Sequence, residues 1–272
     1  MNDTPIPFET LLDEAISKPG IIAQCYSMFH DYSFMNSLLA MHQMKIRGIE
    51  VGPIATFKRW QTMGRVVRKG SKGLTLCMPL FARKGEKNDD PRMIGFTFRS
   101  LWFALSQTEV VSGEVDSFKH ETHTVDWEGD RCLDKMGIER VSYDMVNGNC
   151  QGYAKGRKVA VSPIAMHPAK TLIHEIAHIV LGHTGENDWN PEHPTMERSL
   201  REIEAETVAY IVGEVLGLAG GDESRGYIQH WNSLHGGQRI PEKSAKAIMV
   251  AVDKILKAGK PVPVEAVQEV EV

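Results

Sequence analysis

The stretch PAKTLIHEIAHIVLGH holds His174, Glu175 and His178 in a His-Glu-x-x-His spacing. On an α-helix, residues four apart share a face, so these two imidazoles can reach one cation, while the carboxylate beside the first can hold a water bound to it. The chemistry such a trio supports is metal-assisted hydrolysis. A cation acidifies its water and polarises a carbonyl, and Glu175 takes the proton and passes it on to the leaving amine. The competing reading is plain helix packing, but a buried helix face seldom carries two ionisable rings and a carboxylate without partners. Leu172, Ile173, Ile176, Ile179 and Val180 supply the apolar stripe that would anchor such a helix.

A catalytic zinc takes three protein ligands and keeps one position open. The stretch RSLREIEAETVAYIVGEVLG offers Glu202, Glu204 and Glu206, of which 202 and 206 share a helix face that 204 does not. It is similar to the second helix of zinc peptidases with the HExxH…ExxxD spacing, where the first acid binds metal and the acid four residues on supports a histidine ligand. That likeness makes Glu202 the third ligand and Glu206 the supporting carboxylate, with the reverse order as the alternative, and leaves Glu204 as an exposed helix acid. A tetrahedral oxyanion also needs a donor. Tyr153, His183, His193, Tyr210, Tyr227 and His230 all qualify, and spacing does not choose among them. Zinc suits the ligand set, and so do manganese, cobalt or nickel.

Positioning these residues takes a set of helices. Apolar spacing predicts helices over 168–184, 196–217 and 242–258, with Pro168 at a first turn and Gly217 and Gly220-Gly221 closing the second. They follow a short helix near 126–136 and strand-like pieces at 139–143, 149–154 and 157–161. The earlier half differs. Residues 8–46 read as helices broken near Pro19-Gly20 and around His30-Asp31, and 54–105 as short strands with an exposed hairpin tip at 83–91. The boundaries expected are a domain at 1–112, a linker at 113–124 and a domain at 125–272, whose tail from 259 reads as a frayed end. Each domain mixes helices with strands, so the fold class expected is α+β.

Charge separates the same two halves. The formal net charge is −4, but residues 1–112 carry 14 Lys+Arg against 10 Asp+Glu, and the remainder 17 against 25. Within the first half, Lys58, Arg59, Arg65, Arg68, Lys69 and Lys72 surround Trp60 with no acid between them. Cations that follow phosphates and aromatic rings that stack on bases suit single-stranded nucleic acid. A solvated hairpin face that blocks edge pairing accounts for the same composition equally well. No helix-turn-helix or zinc-finger pattern supports duplex reading.

Over 272 residues, 42% hydrophobic and 24% charged is the makeup of a soluble globular chain, neither fibrous nor disordered. No apolar run reaches the roughly 18 residues of a membrane span, and the acidic start is unlike a signal peptide, so a cytoplasmic protein without a membrane partner is expected. Cys25, Cys77, Cys132 and Cys150 lie far apart, without CxxC spacing, and read as free thiols.

Taken together, several elements resemble the antirestriction protein ArdC family. They are Tyr32-Ser33 with Asn36; Trp60, Gly64, Val67, Lys69, Gly70, Lys72 and Gly73; Ser106-Gln107-Thr108; the HExxH set; and Glu202-x-x-Ala205-Glu206. The likeness runs over residues 8–257. It implies a helix-plus-antiparallel-sheet domain that binds single-stranded DNA, with Tyr32 and Asn36 joining the basic residues and Trp60. It also implies a following zincin-like metallopeptidase domain with zinc on His174, His178 and Glu202. The family role it implies is that of a plasmid- or phage-borne protein protecting incoming DNA, with host restriction machinery as one candidate protein substrate. Two other readings share these residues: a non-proteolytic DNA-binding antirestriction factor with a structural or vestigial metal site, and a protease that cleaves a repressor after sensing DNA.

Overall fold

The structure, a computed structural model, describes residues 6–29, 32–81, 93–111, 125–145, 150–185, 198–234 and 239–261. Its elements in chain order are α1 (Phe8–Ser17), α2 (Ile21–Phe29), α3 (Phe34–Arg47), β1 (Ile54–Thr56), α4 (Phe57–Thr62), β2 (Arg65–Val67), β3 (Leu74–Phe81), β4 (Met93–Ala104) and β5 (Thr108–Val110). There follow α5 (Gly129–Met136), β6 (Glu139–Arg140), β7 (Gly152–Lys155), β8 (Lys158–Val161), α6 (Pro168–Val180), α7 (Arg198–Leu216), α8 (Gly221–Leu234) and α9 (Glu242–Gly259). The fold mixes helix and sheet. Residues 25–123 form one compact unit, and residues 1–24 with 124–272 form another. The hairpin tip expected at 83–91, the linker at 113–124 and the residues beyond 261 lie outside the described residues, and so does His193.

In the unit of residues 25–123, β4 is the central strand of an antiparallel sheet ordered β1-β4-β3, and β2 pairs separately with β5. The edge of β3 is closed by side chains of α3. Asn36 donates to the Cys77 carbonyl at 2.9 Å and accepts from the Cys77 N–H at 2.8 Å. Gln43 does the same at Thr75, with 2.8 and 2.9 Å, and Arg47 donates to the Gly73 carbonyl at 2.9 Å. Three side chains thus replace a missing neighbour strand and satisfy backbone groups that would otherwise template aggregation. Ser33 caps the start of α3 by accepting from the Asn36 N–H, and Gly48 closes it in the left-handed region at φ 63°.

In the other unit, α7 is the central helix. Ile203, Ala205, Val208, Ala209, Ile211 and Val212 are fully buried, because α6, α8 and α9 pack around this middle stretch of it. A small sheet ordered β6-β8-β7 lies against α6, with β6 parallel and β7 antiparallel to β8. Residues 8–17 belong here, whereas the sequence reading grouped them with the first module. The apolar face of α1, Leu11, Leu12, Ala15 and Ile16, closes against α9, and the Glu9 N–H donates to Glu242 at 2.9 Å. Helix α8 was not expected: Gly217 (φ 67°) ends α7 and Gly221 opens a new helix, with Asp222 and Glu223 in its first turn, where acids complement the helix dipole. Among the described residues no helix is long and apolar enough to cross a membrane.

Candidate metal centre

Helix α6 begins with Pro168 at its first turn, where a missing N–H leaves nothing unsatisfied. Its neighbour α7 runs alongside it. The four-residue spacings on the two helices therefore face each other. His174 Nε2 and His178 Nε2 lie 3.1 Å apart, and Glu202 Oε2 is 3.6 Å from each. Ligands at about 2.1 Å around a tetrahedral cation are separated by about 3.4 Å, so these three atoms fit one face of such a site. Among the described residues they are the one cluster of three with metal-ligand geometry. They open into a cleft of about 960 Å³.

Behind His174, Glu206 Oε2 meets Nδ1 at 3.1 Å, while its other oxygen is held by Lys170 at 3.0 Å. Burial disfavours a cation on His174, but the carboxylates of Glu202 and Glu206 outweigh it and raise its pKa to about 9. Glu206 shifts the other way: burial alone would raise its pKa, but its hydrogen bonds to His174 and Ser224 bring it down to about 2. His174 and His178 hold Glu202 well below the usual carboxylate range.

Behind His178 the structure corrects one expectation. Glu204, read as an exposed acid, is only 3% exposed, because its side chain accepts from His183 Nε2 at 2.9 Å. His183 Nδ1 in turn meets His178 Nδ1 at 3.0 Å. Burial lowers the His183 pKa against the pull of Glu204. The usable signal was the third histidine five residues after the second, which helix periodicity alone places off the α6 face.

Glu175 is 7% exposed and lines the cleft, and burial raises its pKa, opposed by His174 and His178. Strand β7 runs close by. A Cβ at Gly152 would stand 2.7 Å from Thr171 Cγ2, 3.0 Å from the Ala160 carbonyl and 3.1 Å from Glu175 Oε1, so only glycine lets the strand approach the acid this closely. Of the oxyanion-donor candidates, Tyr153 lines the cleft and donates to Asp144 at 2.9 Å. His183 is committed to Glu204, Tyr210 is buried on α7, His230 is exposed outside the cleft lining, and Tyr227 is half exposed with its pKa raised by burial and by Glu202 and Glu206.

The expected DNA-binding residues divide into two groups. Lys58, Arg59, Arg68, Lys69 and Lys72 are exposed. Trp60 is not available for stacking: it is 1% exposed and its indole donates to the Phe103 carbonyl at 2.9 Å, because residues 57–62 form a helix that turns the ring into the core. Arg65 is buried and donates to Thr108 Oγ1 at 2.8 Å. Tyr32 donates to the Ile54 carbonyl at 3.1 Å, and Asn36 is held by Cys77. Gln107 accepts from the Ala104 N–H and donates to the Lys72 carbonyl. The polar residues that carried the resemblance in this half are therefore mostly staples of the unit itself.

A family profile described as the N-terminal domain of anti-restriction factor ArdC matches residues 13–122. By this match, residues 13–122 carry an ArdC-type N-terminal domain. The Mn(II)-bound crystal structure of the antirestriction ArdC protein from plasmid R388 is similar to the chain at 20% identity and a TM-score of 0.52, over 93% of this chain and 97% of that one. The metal-free crystal structure of ArdC from R388 aligns at 20% identity and a TM-score of 0.49, over 93% and 94%. At this identity the first likeness establishes an ArdC-like fold for nearly the whole chain. No curated protein matches the sequence.

Proposed function

We propose that this chain is a cytoplasmic antirestriction-type protein of the ArdC family that binds single-stranded DNA through its first unit and hydrolyses peptide bonds at a zincin-like metal centre in its second. The observation that carries the peptidase reading is the three-donor face of His174, His178 and Glu202 with the buried carboxylate of Glu175 beside it. The Mn(II) in the R388 protein supports a divalent cation at such a site, and the donor set also suits zinc. When bound, the cation supplies a polarising charge and acidifies water. Glu175 receives the proton, its raised pKa bringing it closer to the working pH, and then delivers it to the leaving amine. An extended peptide segment pairs with β7, which among the described strands lies at one edge of its sheet and borders the cleft. For the first unit, the exposed cations Lys58, Arg59, Arg68, Lys69 and Lys72 support phosphate contact. Host restriction components are the substrates to screen.

The test compares the intact protein with Glu175→Gln on restriction-enzyme subunits and on unfolded casein. Cleavage that a chelator abolishes, that zinc or manganese restores and that Glu175→Gln lacks is the expected result, with single-strand binding equal in the two proteins. DNA protection retained by Glu175→Gln, with no substrate cleaved by the wild type, would replace this reading with the non-proteolytic one.

A further inference from the structure

Resting on the metal-centre reading above, we propose that His183 and Glu204 form a positioning relay that presents His178 to the cation through its Nε2. The chain builds the relay locally. Gly182 takes φ 76° just past the end of α6, and the His183 N–H returns to the His178 carbonyl at 2.8 Å, a six-residue helix closure that folds His183 back over the last turn. The side chains continue the closure: His178 Nδ1 to His183 Nδ1 at 3.0 Å, then His183 Nε2 to Glu204 Oε2 at 2.9 Å. His183 and Glu204 are 5% and 3% exposed, so neither is a surface contact.

Proton counting fixes the direction of both bonds. An ionised carboxylate only accepts, so the proton of the second bond sits on His183 Nε2. A neutral imidazole protonated there has its lone pair at Nδ1, so the proton of the first bond comes from His178 Nδ1. The lone pair of His178 is then at Nε2, the atom 3.1 Å from His174 Nε2 and 3.6 Å from Glu202 Oε2. The other tautomer would aim an N–H at the cation. His174 gets the same service directly from Glu206, whereas His178 gets it across an intervening ring. Glu204 is therefore a positioning residue for a ligand it does not touch, and its burial on α7 between Glu202 and Glu206 has a purpose in the site.

The experiment measures Zn(II) affinity by competition with a chromogenic chelator, the visible spectrum of the Co(II) form, and the melting temperature of the metal-free protein. Wild type is compared with Glu204→Leu, Glu204→Gln and the double variant His183→Phe/Glu204→Leu, which removes both polar ends together and leaves no lone buried charge. Glu204→Leu and the double variant are expected to bind zinc about 10–100-fold more weakly with a changed Co(II) spectrum. Glu204→Gln, whose amide oxygen accepts the same N–H, is expected to restore affinity and spectrum. Wild-type affinity and spectrum in the Leu and double variants overturn the relay. So does a loss that Glu204→Gln fails to rescue, or one that merely follows the metal-free melting temperature. A wild-type protein that takes up no cation overturns the metal centre itself, a separate outcome from intact metal binding that ignores Glu204.

Discussion

Glu206 Oε2 sits 3.1 Å from His174 Nδ1, so a carboxylate on α7 holds from behind the histidine that Glu202 on the same helix meets from the front. The two acids are one helical turn apart and the imidazole lies between them. Without a cation, this arrangement stores a proton on His174.

That proton gives the metal-free protein a defined pH response. The His174 pKa is raised from 6.5 to about 9, so its stabilising contribution is complete below pH 6.5 and is lost as pH rises through about 9. The Glu206 pKa is lowered from 4.5 to about 2, so its contribution is complete above pH 4.5 and is lost as pH falls through about 2. The cluster is most stabilising between these limits. Thermal melts in chelator should show a melting temperature that falls from pH 6.5 to 9, and saturating zinc should remove the fall, because the cation takes the place of the proton. A metal-free melting temperature that climbs over that range would contradict the pairing.

Gly152 tests how tightly β7 is set against Glu175. In Gly152→Ala the new methyl meets Thr171 and the Ala160 carbonyl at or below 3.0 Å, and overpacking of this kind costs about 1–3 kcal/mol. Chemical denaturation should show that loss, and turnover should fall further than metal affinity, because the displaced groups are the strand and the acid and not the ligands. Equal stability with unchanged turnover would mean that the strand has room to spare.

Trp60 and the exposed cations separate core from binding surface. Trp60→Ala should lose about 3–5 kcal/mol of unfolding free energy, as removal of a fully buried indole does. Neutralising Lys58, Arg59, Arg68, Lys69 and Lys72 should leave folding nearly unchanged, weaken binding to an oligothymidine strand and reduce its dependence on salt. A stable Trp60→Ala protein with specifically impaired binding would return the ring to the nucleic acid.

Much of the centre was legible in the sequence because helix periodicity is a local rule. His174 with His178, and Glu202 with Glu206, are each four residues apart, so their sharing of a face needed no tertiary information. Glu204 was misread for the same reason. Its position on the helix said which way it pointed, but not that a turn through Gly182 would bring His183 to meet it. Trp60 failed differently: six residues with four polar side chains form a helix only because Thr56 caps it by accepting from the Arg59 N–H and the indole closes over Phe103. The placement of α1 with α9 depends on contacts across more than 200 residues, which no local pattern reports. The glycines at 220 and 221 read as an end, when one of them was a beginning.

The central claim is that His174, His178 and Glu202 hold one divalent cation while Glu175 does not. Chelator-stripped protein titrated with zinc or manganese, with bound metal counted by elemental analysis, tests it most directly. Wild type and Glu175→Gln should each take up one equivalent per chain, and Glu202→Gln should bind far more weakly than either. Wild-type uptake by Glu202→Gln, or loss of uptake in Glu175→Gln, would contradict this assignment of ligands and base.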